Sequence, residues 1–296
     1  MSFFLYSIII PHYNSPHLLQ RMLDSIPQRD DIQTIVVDDA SSTENIEKLK
    51  GLAHKNLELY LEKENHGAGY ARNIGLDKAL GKWVIVADAD DLFAENAFDV
   101  FDKYKDTDID YLGFCIKCVD TETLNPNGRM IVSDVSVRKY LEKETDETLN
   151  LYKYKNTVCW NKLVSLEFIK KNKIQFENCA VNNDVFYALQ IGYYANQFKV
   201  IPDELYYFTE NSDSITHKKR TLEREFMFFL QAQKRNGFFE KLDLKYYPFY
   251  RRTFLYLPFM LKKRGLSDTI KFFKMIKEHK QEIIEARKAY LFLFDK

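Results

Sequence analysis

What this chain lacks narrows it first. Across its 296 residues no apolar run approaches the roughly 20 needed to cross a bilayer as a helix. Cysteine is scarce: Cys115, Cys118, Cys159 and Cys179 form no disulfide framework, which points to a reducing, cytoplasmic compartment. Cys115 and Cys118 have the spacing of half a zinc site, but no second pair or nearby His completes one. They fall in a β-rich run, Tyr111 to Val119, and read as half-buried packing residues. Internal repeats and low-complexity linkers are missing too. The opening stretch, Phe3 to Ile10, has no basic segment and no small-residue cleavage site, so it reads as a first strand and not as a signal peptide. What remains is a globular chain, long enough for one large α/β domain and an appendage.

Net charge is also absent, but only in sum. Residues 1–216 carry 23 Lys and Arg against 34 Asp and Glu, and residues 217–296 carry 20 against 9. The body is therefore acidic by 11 charges and the tail basic by the same number. The tail also holds 17 of the 44 aromatic residues. Charge and periodicity change together near 215–220, which sets a boundary between a domain over 1–216 and a helical region over 217–296.

The first half alternates short apolar runs with helical patterns, as a mostly parallel sheet requires. Strands are expected at Tyr6–Ile10, Thr34–Val37, Glu58–Leu61 and Trp83–Ala87. Ser15 and Pro16 open a helix with an apolar stripe. Ser42 or Thr43 caps a second. A third runs from about Ala68 to Leu80, with Gly81 placed to end it. Further on, residues 96–104, 134–144, 165–172 and 182–195 read as helices. Residues 111–119, Phe198–Ile201 and Leu205–Phe208 read as extended, and Asn125–Gly128 as a hairpin turn. Helices follow at about 221–236, 248–264 and 267–290.

Four polar segments fall where these first strands end, the edge at which open α/β sheets bind ligands. They are Pro11-His12-Tyr13-Asn14, Asp38-Asp39-Ala40-Ser41, Glu64 through Asn73, and Asp88-Ala89-Asp90-Asp91. The last places three carboxylates within four positions after Val84-Ile85-Val86. Carboxylates that close raise one another's pKa unless a cation sits among them. Their oxygens suit hard ions such as Mg²⁺ or Mn²⁺, which bind phosphate oxygens in turn. A metal–diphosphate site is one reading, and an acidic helix start is the other. Gly67 and Gly69 leave room for close backbone approach, and a dinucleotide fingerprint fails there for want of a third glycine.

Taken together, Ser7-Ile8-Ile9-Ile10-Pro11-x-Tyr13-Asn14, Val36-Val37-Asp38-Asp39-x-Ser41, Asn65-x-Gly67-x-x-x-Ala71-Arg72-Asn73-x-Gly75, Gly81-Lys82-Trp83-Val84 and Asp88-Ala89-Asp90-Asp91 resemble the family-2 glycosyltransferases. Their order and spacing fit that family over about residues 5–100. The resemblance implies the GT-A fold, a Rossmann-like mixed sheet that binds nucleotide-diphospho-sugars. It also implies an inverting sugar transfer, with bacterial surface polysaccharide as the setting.

By that resemblance Pro11, Tyr13 and Asn14 line the nucleotide pocket, Tyr13 stacking on the base. Asp39 accepts from uracil, with Asp38 beside it, and Asn65 and Gly67 complete the wall. Arg72 lies under the base or diphosphate; the alternative is a surface ion pair with Asp77 or Asp91. Asp90 is the main ligand of a Mn²⁺ or Mg²⁺ ion. Asp88 holds the ribose or a metal-bound water, next to Ala89, and Asp91 supports both from behind. The catalytic base maps to Asp184, although Asn183 stands where the family commonly has Glu. Trp160, in Trp160-Asn161-Lys162-Leu163, either stacks on an acceptor sugar or belongs to the core. His217, among Lys218, Lys219 and Arg220, adds a metal or phosphate contact.

The donor implied is a UDP-sugar and the acceptor a glycan or a lipid-linked glycan. Rival readings are a sugar nucleotidyltransferase and a non-catalytic binding protein. The basic, aromatic tail reads as a helix for the anionic inner face of the cell membrane, or as a surface packed on the body or on a second copy in a homodimer. Nucleic acid is not an expected partner, because no recognition motif accompanies the charge.

Overall fold

The apolar runs of the first half become four parallel strands: β1 (Tyr6–His12), β2 (Ile32–Asp38), β3 (Leu57–Leu61) and β4 (Trp83–Val86). Every residue of β1, β2 and β4 is buried, as expected of strands covered on both faces. Helices α1 (Pro16–Asp24), α2 (Thr43–Lys50) and α3 (Ala68–Lys78) make the crossovers. The computed structural model describes residues 4–210, 221–244 and 256–295. The chain divides into two compact units, Met1–Ser212 and Asp213–Lys296.

Register brings the strand ends level. His12 pairs with Asp38, Asp38 with Leu61, and Ile9 with Val86. The segments that follow therefore emerge along one edge. Beyond β4 the sheet turns mixed. The rest of the first unit comprises β5 (Leu92–Phe93), α4 (Ala97–Asp102), β6 (Tyr111–Asp120), α5 (Val132–Glu142), α6 (Asp146–Lys155), β7 (Lys162–Ser165), α7 (Leu166–Asn172), α8 (Asn183–Tyr194) and β8 (Phe198–Glu210). Among the described residues the sheet has eight strands in the order β3-β2-β1-β4-β7-β6-β8-β5, with β7 antiparallel to both its neighbours.

Several expectations change here. The two segments 198–201 and 205–208 are one strand, β8, whose register against β6 slips at Phe114–Ile116. Pro202 lies at this irregularity, where a missing N–H is tolerated. The freed Ile116 N–H donates to Asp134, and Arg138 holds Asp134, the Ile116 carbonyl and Glu204. The turn at 125–128 bends the chain back only far enough for a single bridge, Val119 to Pro126, and not a hairpin. Helix α6 and strand β7 had no visible period. Cys115 and Cys118 are fully buried rather than half-buried.

Gly81 does not end the third helix. Helix α3 stops at Lys78, and Ala79 leaves it in an extended conformation. Gly81 is needed for close approach instead: a Cβ there would stand 2.6 Å from the Ser7 nitrogen and the Tyr6 carbonyl carbon.

The second unit contains α9 (Leu222–Lys241), α10 (Tyr256–Glu278), α11 (Lys280–Lys288) and a 3-10 turn, Leu291–Phe294. Helix α10 joins the two helices expected around 264–267 and breaks at Gly265, whose φ is 81° and ψ 177°. Phe226, Phe229, Tyr256, Met260 and Phe272 form this unit's own core. Part of the aromatic tail is thereby explained without any outside partner. Tyr246, Tyr247, Phe249, Tyr250, Arg251, Arg252 and Phe254 lie outside the described residues.

Replacing Gly81 by Ala should destabilise the first unit by about 1–3 kcal/mol, the usual penalty of overpacking against atoms that cannot yield. Urea denaturation checks this, and an unchanged midpoint would refute the close-approach role.

Candidate active site

The first two strand ends are joined by a buried pair. His12 Nδ1 lies 2.7 Å from Asp38 Oδ1. The Ser15 N–H donates to His12 Nε2 at 3.1 Å, so Nδ1 carries the proton and donates to the carboxylate. Asp38 also accepts from the Ser41 N–H and hydroxyl. Burial raises its pKa, but the bonds from His12 and Ser41 outweigh that and hold it below the ordinary aspartate value. Asp38 was expected beside the nucleotide; it is 0% exposed and braces the loop from beneath through His12 and Ser41.

The neighbouring segments interlock. Asn14, at φ 53°, donates its N–H to Ser41 Oγ, and its side-chain oxygen accepts from Ser42 and Asn45. Asn14 thus steers the start of α2, which Ser42 caps. Asp39 accepts from the His66 and Gly67 N–H groups at 2.8 and 2.7 Å, and Asn65 donates to the Asp39 carbonyl. Each Asp39 oxygen keeps a free lone pair. Gly67 takes φ 90°, which a side chain would resist. Pro11 is buried in β1, and Tyr13 stands 54% exposed with its ring open to the edge.

The carboxylate turn after β4 is fastened on two sides. Tyr206 on β8 accepts from the Asp88 N–H and donates to Asp91, both at 2.9 Å. Thr209 donates its N–H to Asp91 and its hydroxyl to the Asp90 carbonyl. Asp91 is wholly buried, and that burial together with Asp90 and Asp88 raises its pKa well above normal. Ala89 is buried between them. Asp90 opens to solvent, yet the protein crowding its carboxyl and the charge of Asp88 lift its pKa to about 6. From the other side Arg21 on α1 reaches the Asp90 carbonyl.

Arg72 joins this turn to the start of α8. Its guanidinium is 7% exposed and donates to Asp88 Oδ1 and Asn183 Oδ1, each at 2.6 Å. It lies 5.4 Å from the centre of the Phe176 ring, which stacks on Tyr187. The surface pair with Asp77 or Asp91 is thereby excluded. Asn73 exchanges hydrogen bonds with the Phe176 backbone, and Gly69 lets Glu177 and Asn183 press against α3. Asn183 opens α8, so Asp184 is held one position beyond the Arg72 contact. Burial raises the Asp184 pKa, Arg72 pulls it back in part, and Asp88 adds to the rise.

Trp160 proves to be core. It is 4% exposed and stacks on both Tyr206 and Phe208, with ring centres 5.1 and 5.5 Å away. An acceptor sugar cannot reach its face. The neighbouring Lys162, 4% exposed, donates to the carbonyls of Asn156 and Val158 and to Asn161 Oδ1. Burial lowers its pKa to about 7, with Cys159 and Asp184 opposing the fall.

Among the described residues no group of three or more His, Cys, Asp and Glu side chains is arranged to hold a metal ion. His217 lies outside those residues. The donors present still fit a hard divalent ion shared with a ligand's phosphates, since such ions take one or two carboxylates and complete their shell with phosphate and water. Asp90 is the free carboxylate for that purpose, while Asp88 is partly engaged by Arg72.

Sequence reading passed over Arg21, Tyr206, Thr209 and Lys162. Only Lys162 carried a local signal, a lysine leading the apolar pair Leu163-Val164. The others act from elements distant in sequence.

Arg72→Met should raise the pKa of Asp184, because a cation that favours its ionised form is removed. Carboxyl carbon shifts of aspartate-labelled protein across a pH series measure this, and a fall would contradict the arrangement.

The profile of the family described as "Glycosyl transferase family 2" matches residues 7–168, more than half of the chain. The poly(ribitol-phosphate) beta-N-acetylglucosaminyltransferase TarS of Staphylococcus aureus is 26% identical over 211 residues, covering 69% of this chain and 35% of TarS. The chain thus spans about a third of that relative's length. The cholesterol galactosyltransferase of Borreliella burgdorferi is 25% identical over 272 residues, covering 86% and 74%. Crystalline S. aureus TarS 1–349 in complex with UDP-GlcNAc superposes with a TM-score of 0.67 at 20% identity, over 96% of this chain and 83% of that one. The mannosyltransferase PcManGT of Pyrobaculum calidifontis, in complex with GDP-Man and Mn²⁺, gives 0.54 at 17% identity, over 92% and 75%. These likenesses show a shared GT-A fold.

Proposed function

The chain belongs to glycosyl transferase family 2, and on that premise we propose that it transfers a sugar from a UDP-sugar to a hydroxyl of a glycan or lipid-linked glycan in bacterial surface-polysaccharide assembly. One observation carries the reading. The same Arg72 guanidinium grips Asp88 in the carboxylate turn and Asn183 beside Asp184. The donor corner and the candidate base are thereby fixed against each other. The UDP-GlcNAc complex of TarS supports the choice of donor, and the sterol acceptor named for the Borreliella relative supports a lipid-linked one.

In this mechanism the uracil stacks on the exposed Tyr13 ring, and Asp39 receives it through its remaining lone pairs, with Asn65 and Gly67 shaping the wall. Asp88 holds the ribose. Asp90 would hold Mn²⁺ or Mg²⁺ together with the diphosphate. That ion supplies positive charge against the charge growing on the leaving diphosphate. One pair of unit charges ~4 Å apart at an effective dielectric near 20 is worth about 4 kcal/mol, or roughly three decades in rate if realised only in the transition state.

Asp184 accepts the proton of the acceptor hydroxyl. The acceptor oxygen bonds to the anomeric carbon from the face opposite the diphosphate, and the bond to the diphosphate oxygen breaks with its electron pair leaving on UDP. The configuration inverts. A carboxylate whose pKa is raised is a stronger base than ordinary aspartate. A nucleotidyltransferase would need a Gly-rich, basic first loop, and Pro11-His12-Tyr13-Asn14 is neither.

The tail reading attaches here. Among the described residues Lys271, Lys274, Lys277 and Lys280 are exposed on or beside α10, along with Leu266 at 66% and Ile270 at 62%. They suit an anionic membrane surface, where each cation contributes about 1 kcal/mol.

Asp90→Ala should abolish metal-dependent UDP binding in calorimetry, and Asp184→Asn should keep it while losing transfer by a factor of roughly a hundred or more. Asp184→Asn protein that still transfers at the native rate would move the base elsewhere. Charge reversal at Lys271, Lys274 and Lys277 should release the protein from phosphatidylserine vesicles in flotation; equal flotation would sink the membrane reading.

A further inference from the structure

Arg21 belongs to none of the motifs along the sheet edge, yet it spans three of the elements that enclose the carboxylate turn. From the last turn of α1 its guanidinium donates to the Thr121 carbonyl at 2.5 Å, to the Asp90 carbonyl at 2.5 Å, and to Thr209 Oγ1 at 3.4 Å. These partners stand 100, 69 and 188 positions away in sequence. Thr209 closes the figure. Its hydroxyl donates to the same Asp90 carbonyl at 2.6 Å, and its N–H to Asp91 at 2.7 Å. One carbonyl in an irregular turn thus receives two donors, one of them cationic.

The charges give this clasp a purpose. Asp88, Asp90 and Asp91 lie within four residues. Arg72 pairs with Asp88, and Tyr206 and Thr209 satisfy Asp91. Asp90 is left with an exposed carboxylate and no such partner of its own. Its backbone, however, is tied down by a charge-assisted bond, among the stronger kinds of hydrogen bond in a protein. Fixing the peptide leaves only the side-chain torsions to be ordered when a ligand arrives, which lowers the entropic cost of binding.

We infer that Arg21 is a positioning residue for the carboxylate turn: through the Asp90 peptide, and together with Thr209, it aims the Asp90 carboxylate at the metal and diphosphate. It touches no reacting atom. The inference rests on the reading that this turn receives a metal-bound diphosphate.

The test uses the full chain as Arg21→Met, Arg21→Lys and Thr209→Val. In ligand-free protein, amide hydrogen exchange over Asp88 to Leu92 should quicken in Arg21→Met, and less in Arg21→Lys, which keeps the charge but loses the fork. In calorimetric titrations of UDP binding with Mn²⁺, the metal concentration for half-saturation should rise about 10–100-fold in Arg21→Met, the usual effect of losing support behind a metal ligand. Thr209→Val should shift it in the same direction by less. Unchanged exchange in this turn, or an equal loss of UDP affinity with and without metal, would overturn the inference. If Arg21→Met fails to fold, Arg21→Lys and Thr209→Val decide by the same comparisons. Native protein with no manganese-dependent UDP binding would overturn the functional reading, while exchange would still decide whether the clasp exists.

Discussion

Three carboxylates within four residues cannot be built at the end of a buried strand without positive charge and donated protons close by. The first unit meets this demand from several directions. Arg72 comes from α3, Arg21 from α1, and Tyr206 and Thr209 from β8. Each group takes one part of the turn, and together they spare the carboxylate of Asp90. The arrangement explains why α3 carries a buried arginine, between Ala71 and Asn73. A buried guanidinium needs a carboxylate, and here the turn and the start of α8 share it.

The parallel half of the sheet supplies position, and the mixed half supplies support. Level strand ends bring Tyr13, Asp39 and Asp88 to one edge. Strand β8 runs parallel to β6 and delivers its hydroxyls to the turn. The slip at Phe114–Ile116 sets which side chains of β8 face that way, and the Asp134–Arg138 pair stabilises the slip. A β-bulge far from the edge in sequence therefore governs the registration of the site.

The parallel half was legible because each of its strands is a short apolar run that ends in a polar segment, and each crossover has a helical period. The mixed half was not. Strand β7 is four residues long and begins with a lysine, so no alternation marks it. Pro202 broke one strand into two apparent ones. Gly81 looked like a helix terminator because glycine serves both capping and close approach, and only the packing against Ser7 separates them. At the site, residue types told the chemistry but not who faces whom. Asp38 and Trp160 sit among ligand-binding motifs, yet one is sealed by His12 and Ser41 and the other by two aromatic rings. Arg72 was expected under the base or diphosphate, and its bond to Asn183 depends on how α3 and α8 meet. No sequence distance reveals that.

The three stacked rings have an effect on motion. Trp160 precedes the Asn161–Lys162 pair, whose lysine feels the charge of Asp184, and its indole lies flat on Tyr206, whose hydroxyl accepts from the Asp88 N–H. Close-packed aromatic faces slide poorly and compress hardly at all. Any shift of the loop that carries Lys162 is thus passed on to the peptide that starts the acidic turn.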